Sequence, residues 1–260
     1  MKKSFSSGRI FTVLLIALSF IAISSSSSFA QGKKQKNESV AIDTITTNIV
    51  GTGTSLSFEF RKGPEHNHPL MAIWIEDLDG NYIQTLYVAR SIAKGVFAFG
   101  DKSTGKWQEG EIIRVAALPY WSHKRNVKND LGNYMPKKGF EVPDAYTGAT
   151  PSSDFSLSTR TDTKINSKFR IYCEINQSWA WNKHWTNTLY PDDPEYKTSS
   201  QPAVVYAAVI DPSAKGVTVR LEPVGRSHHS GQNGNLYTDL ETLTTALRIA
   251  SEITVTVNAE

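Results

Sequence analysis

Apolar and polar residues alternate with period two along most of the chain. In "SLSFEF" this puts Leu56, Phe58 and Phe60 on one face, as a half-buried strand requires. "LMAIWIED" and "YIQTLYVAR" flank Leu78-Asp79-Gly80-Asn81, and an Asp-Gly pair between apolar runs predicts a hairpin. "EIIRVAAL", "DFSLSTR", "KFRIYCEI", "AVVYAAVI", "GVTVRLEPV" and "EITVTVNA" extend the series. The main helix expected is "DLETLTTALRIA", Asp239 to Ala250, near the C-terminus and capped by Thr238 or Asp239. About nine short strands with one such helix predict an all-β chain, an immunoglobulin-like β-sandwich. No fixed-period repeat is visible.

Three connections are long for such a domain: Pro119 to Ser153, Trp179 to Gln201, and Gly225 to Tyr237. Long irregular loops are commonly functional or disordered, and these are too aromatic for disorder. They carry Tyr120, Trp121, Tyr134, Phe140, Tyr146, Trp179, Trp181, Trp185, Tyr190 and Tyr196, and the histidines His123, His184, His228 and His229. The expectation is one decorated end or face of the sandwich.

The first residues change the charge argument. Lys2, Lys3 and Arg9 precede an apolar run from Ile10 to Ile23, then a serine tract and "SFAQ". This is the layout of a secretory signal peptide over 1–30, cut after Ala30. The apolar run is shorter than the ~20 residues that span a bilayer. Residues 31–38 read as a flexible leader and 39–260 as one domain. The protein is expected outside the cytoplasm: periplasmic if the cell has an outer membrane, otherwise extracellular. All three net positive charges lie in the removed segment, so 28 Lys+Arg less three leaves 25 against 25 Asp+Glu. Nothing in that balance points to nucleic acid. The single cysteine, Cys173, leaves no intrachain disulfide, and its place in "FRIYCEI" turns it toward the core.

Within the first long connection lies "VPDAYTGATPSSD". Asp144, Thr147, Gly148, Ala149 and Thr150 form Asp-x-x-Thr-Gly-Ala-Thr. This resembles the acceptor motif of bacterial FAD:protein FMN transferases, in which the last threonine carries FMN through a phosphoester. The resemblance implies FMN on Thr150, with Gly148 allowing close backbone approach and Pro143 and Pro151 keeping the flanks irregular. Pro151 departs from the familiar pattern. The same stretch also reads as a turn, with Asp144 capping local N–H groups and Gly148 supplying positive φ. If flavin is present, Trp121 is expected to shield its ring, and His66, His68, His123 and Arg125 are candidates to contact ring or phosphate.

Three other constellations stay open. His66-x-His68 with a loop histidine is a candidate metal site, although no zinc spacing is present. "WAWNKHW", Trp179 to Trp185, reads as a non-catalytic binding platform for a glycan or a partner protein through Trp181 and Trp185, or as closure of the core. Asp192, Asp193 and Glu195 could bind calcium, without the alternating ligands of a calcium loop. No nucleophile elbow, zincin helix, phosphate loop or dinucleotide fingerprint occurs.

Across most of the chain, "KGPEHNHPLMAIWIEDLDGNYIQTL", "LPYWSHKR", "PDAYTGATP" and "YPDDPEYKTSSQPAVVYAAVID" resemble the exported bacterial domain-of-unknown-function family 2271. The resemblance implies a β-sandwich found beside flavin transferases and membrane redox proteins. Together these observations lead to the expectation of an exported flavin-carrying redox accessory or electron-transfer protein, not a stand-alone enzyme. Its expected partners are an FAD:protein FMN transferase and membrane redox proteins. It should not span the membrane after signal cleavage.

Overall fold

A computed structural model describes residues 42–143, 147–148 and 151–259. The expected signal peptide and leader, and Asp144, Ala149 and Thr150 of the acceptor-like motif, lie outside the described residues. The rest forms the expected two-sheet β-sandwich.

The five-stranded sheet has the order β1 (Asp43–Thr47), β8 (Phe155–Arg160), β2 (Ser55–Lys62), β13 (Ala250–Val257), β11 (Thr218–Arg220). Phe58 of β2 pairs with Leu157 of β8 on one side and Val255 of β13 on the other. The period-two pattern therefore puts Leu56, Phe58, Phe60, Ile253 and Val255 on one buried face. β1 runs parallel to β8 at the edge.

The six-stranded sheet has the order β12 (Glu222–Arg226), β10 (Val204–Ile210), β9 (Phe169–Asn176), β3 (Leu70–Asp77), β4 (Tyr82–Ala89), β7 (Thr147–Gly148). The expected hairpin joins β3 to β4. Asp77 Oδ1 accepts from the Asp79 and Asn81 backbone N–H groups at 2.9 Å each. Cys173 faces inward with Ile171 and Ile175, as expected, and is fully buried.

This sheet is buried on both faces. Met71, Ile73 and Ile75 of β3 enter the core between the sheets, while Ala72 and Trp74 enter a second core outside. That outer layer consists of α1 (Arg90–Lys94), α2 (Pro119–Arg125) and the chain through Ala117 and Leu118. Trp74 stacks on Tyr172 of β9 at 5.1 Å, and Tyr120 of α2 meets both rings edge-on. A separate hairpin, β5 (Val96–Asp101) with β6 (Gln108–Glu111), follows α1.

Three expectations are corrected. "EIIRVAAL" is not a strand: β6 ends at Glu111, and the chain turns to bury Ala116–Leu118 against the outer core before Pro119 opens α2. Proline at a first helical position costs no hydrogen bond. "GVTVRLEPV" is two strands in different sheets, β11 and β12, with Leu221 at the crossing, its N–H bonded to the Ile253 carbonyl at 2.9 Å. The helix expected over Asp239–Ala250 is absent: only a 3-10 turn, Ala246–Arg248, forms, and β13 begins at Ala250. The apolar residues Leu243, Ala246 and Ile249 do face the core. However, Thr242, Thr244 and Thr245 are stiff at χ1, and the backbone bonds elsewhere. The Thr244 N–H goes to Gln201 Oε1 at 2.8 Å and the Thr242 carbonyl accepts from Asn182 at 2.8 Å. The short helices are α1, α2 and α3 (Pro194–Ser199), two of them within the long connections.

Candidate functional site

The three long connections meet at one cleft of about 730 Å³. The first contributes Ser122, His123 and Gly132–Met135, the second Leu189–Glu195, the third Ser230–Gln232. The connections converge as expected, but of the rings they carry only His123, Tyr134 and Tyr190 line the cleft.

α2 brings the first wall. At seven residues it is too short to hold itself in water, so its position comes from the sheet beneath. Glu174 of β9, fully buried, accepts from the backbone N–H groups of Tyr120 (3.2 Å) and Trp121 (2.7 Å). The Trp121 indole N–H donates to Thr85 Oγ1 at 2.9 Å. Lys124 donates to Glu76 Oε2 at 3.0 Å, and Glu76 has no exposed side chain. Glu76 Oε1 also accepts from the Trp74 indole at 2.8 Å. His123 lines the cleft. Its Nδ1 lies 2.7 Å from the Pro119 carbonyl, and a carbonyl only accepts, so Nδ1 donates. Tyr134 packs against this imidazole at 4.2 Å, with the Lys128 ammonium 4.9 Å above the tyrosine ring.

The second wall is Tyr190 and the start of α3. Asp193 caps α3, its Oδ1 accepting from the N–H groups of Glu195 and Tyr196 at 3.0 Å each. Asp-Pro-Glu is a strong N-terminal signal. The Tyr190 ring stacks on His229 at 4.0 Å and 8°, and His229 in turn stacks on His228 at 4.3 Å. The third connection reaches the cleft through Gly231. Its φ is +73°, and a Cβ there would lie 2.0 Å from the Val115 carbonyl oxygen, so only glycine permits this approach.

The lining carries Asp192, Asp193, Glu195 and His123, with no lysine or arginine. Burial raises the Glu195 pKa, Asp193 raises it further, and Arg114 opposes both. Burial, then the neighbouring His228, lowers His229 to about 4; His228 is lowered by burial and by Arg226. The paired histidines are therefore neutral at pH 7 and serve as an aromatic backing.

The residues singled out from sequence separate. His123 stands at the cleft. Trp121 does not: it is 0% exposed in the outer core, so its ring has no free face to shield a cofactor. Arg125 is half-buried, where burial lowers its pKa and Tyr82 counteracts. His66 and His68 lie in the turn before β3, not on a strand. His66 rests on Phe60 at 5.7 Å, and His68, with φ +52°, meets Asn67 Oδ1 at 3.1 Å. Among the described residues no group of three or more His, Cys, Asp or Glu side chains could hold a metal ion. Trp185 is buried with its indole on Thr242 Oγ1 at 3.0 Å, and Trp181 and Trp185 both pack on Tyr196. They close the core, and of the three tryptophans of "WAWNKHW" Trp179 alone stands exposed.

Gly148 lies in β7, the edge of the six-stranded sheet, paired in parallel with Ala89, while Thr147 pairs with Val88. A Cβ on Gly148 would sit 2.7 Å from Tyr87 Cε2 and 3.4 Å from Ile45 Cγ2 of β1. The glycine is required by close approach, not by positive φ, which corrects the turn expectation. The motif's described residues thus lie where the edges of the two sheets meet, and none of them lines the cleft.

Sequence reasoning missed Glu76 and Glu174. Both occupy polar positions of an alternating strand, which normally face water; here a second layer covers that face. Among the described residues no helix is long and apolar enough to cross a membrane. Compared with known protein families, with curated proteins and with solved structures, the chain matches none.

Proposed function

We propose that the protein is an exported flavin carrier with FMN esterified to Thr150, passing electrons between partners outside the cytoplasm and not acting as a stand-alone enzyme. The motif Asp144-x-x-Thr147-Gly148-Ala149-Thr150 carries this reading. Bound FMN would supply one- and two-electron redox chemistry. Modification would replace the Thr150 hydroxyl proton with the FMN phosphoryl group and release AMP from FAD. Two features support the reading. Gly148 belongs to β7, an edge strand of the six-stranded sheet. Gly148 also allows the backbone to approach Tyr87 closely. Thr150 would tether the cofactor, which an exported protein cannot draw from a cytoplasmic pool. Membrane redox proteins are the proposed electron partners.

The test is co-expression with an active FAD:protein FMN transferase, followed by intact mass and visible absorbance. The expected product is yellow and heavier by one FMN less water, and Thr150→Ala abolishes both changes. A colourless product of unmodified mass overturns the proposal.

A further inference from the structure

The cleft is built by residues that the flavin reading does not use. We infer that it binds a neutral polyhydroxylated ring, a saccharide unit. Its volume of about 730 Å³ lies within the range of small-molecule sites. Its lining combines one rigid aromatic wall with many acceptors. Tyr190 is fixed from behind by the parallel, stacked His229 ring and from its side by Tyr196, 4.9 Å away at 84°. Such a ring offers a large amphipathic contact at little entropic cost, suited to the C–H face of a pyranose. The lining also holds Asp192, Glu195, Asn133 and His123. Sugar hydroxyls are donors, and carboxylate acceptors make the stronger, charge-assisted hydrogen bonds.

The charges narrow the ligand class. With carboxylates and no lysine or arginine in the lining, a phosphorylated or acidic ligand meets repulsion on entry. An organic cation is the competing class, and the acids are poorly arranged for it. Asp193 is committed to the α3 N-terminus, and Arg114 stands against Glu195. That leaves Asp192 as the one exposed carboxylate of the three without such an opposing role.

The experiment is isothermal titration of the mature chain with neutral mono- and disaccharides, glucose 6-phosphate and choline. At least one neutral sugar should bind saturably with Kd of about 1 mM or tighter. Asp192→Asn should weaken it roughly tenfold, the loss of one charge-assisted bond, and Tyr190→Leu should abolish it, with both variants folded by circular dichroism. Trp179→Ala, which removes an exposed ring outside the cleft, should leave binding unchanged. Thr150→Ala should also leave it unchanged, which separates this inference from the flavin reading. No saturable sugar binding overturns the inference. So does binding that survives both cleft substitutions, or tighter binding of choline or glucose 6-phosphate than of every neutral sugar.

Discussion

Replacing Glu174 by glutamine tests the outer layer at its least conventional point. The carboxyl is fully buried between β9 and α2 and accepts two backbone N–H groups. Those bonds favour the ionised form, yet burial outweighs them and pushes the pKa from 4.5 up to about 8. The buried Ser227 hydroxyl lies against the same carboxyl and, like the two N–H groups, favours its ionised form, so burial is the cause that prevails. Because the folded pKa exceeds the unfolded one, the folded chain keeps a proton between about pH 4.5 and 8 that the unfolded chain has released. The group's contribution to stability is therefore complete below that window and is lost as pH rises through it. The slope is about 1.4 kcal/mol per pH unit, or about 3 kcal/mol between pH 5 and 7. Glutamine has no such proton. Urea unfolding of wild type and Glu174→Gln at pH 5, 6 and 7 cancels all other titrations in the difference. The wild-type advantage should shrink by about 2–3 kcal/mol across that range. A difference independent of pH, or one growing with pH, would refute the reasoning and show that the α2 N–H groups hold the carboxyl ionised.

Two further substitutions probe the same architecture. Lys124→Met leaves the buried Glu76 carboxylate without its cation and should cost about 2–3 kcal/mol, less than a wholly buried pair because the lysine is partly exposed; Glu76→Gln in the same chain should restore part of it, and a thermal melt within 0.5 kcal/mol of wild type for Lys124→Met alone would count against the pairing. Gly148→Ala drives a methyl against the fully buried Tyr87 ring and should cost about 1–3 kcal/mol; an unchanged melting temperature would show that β7 does not sit against β4 as described.

The sandwich was legible because its strands carry alternation, which is a local property. β2 and β13 needed nothing beyond Leu56, Phe58 and Phe60 facing Ile253, Val255 and Val257. The Asp77–Asn81 hairpin was equally local. The C-terminal segment misled because Leu243, Ala246 and Ile249 do recur at near-helical spacing, while the non-local bonds to Gln201 and Asn182 decide the backbone. "LMAIWIED" held a signal that alternation alone hides: its nearly unbroken apolar run marks a strand buried on both faces. The three long connections do converge on one cleft, but of their histidines and aromatics only His123, Tyr134 and Tyr190 line it. Which of them face the cleft depends on how α2 and α3 are pinned, and no spacing in the chain records that.

The buried acids explain how irregular connections can present a defined cleft. A seven-residue helix cannot specify its own position, and apolar packing of Tyr120 and Trp121 would tolerate sliding along the sheet. Glu174 removes that freedom at one end of α2 and Glu76 at the other, since each carboxyl has directional partners that exist in one register only. Both acids cost desolvation, and an apolar pair of similar volume could be more stable. What the acids add is position: His123 sits one residue before Lys124 and two after Trp121, so its ring is fixed by the bonds on either side. The same logic holds at α3, where Asp193 caps the helix and thereby sets Tyr190 against His229. The cleft is thus an outcome of two short helices, each held by directional bonds from carboxylates, and loosening either one should blur the cleft before it unfolds the sandwich.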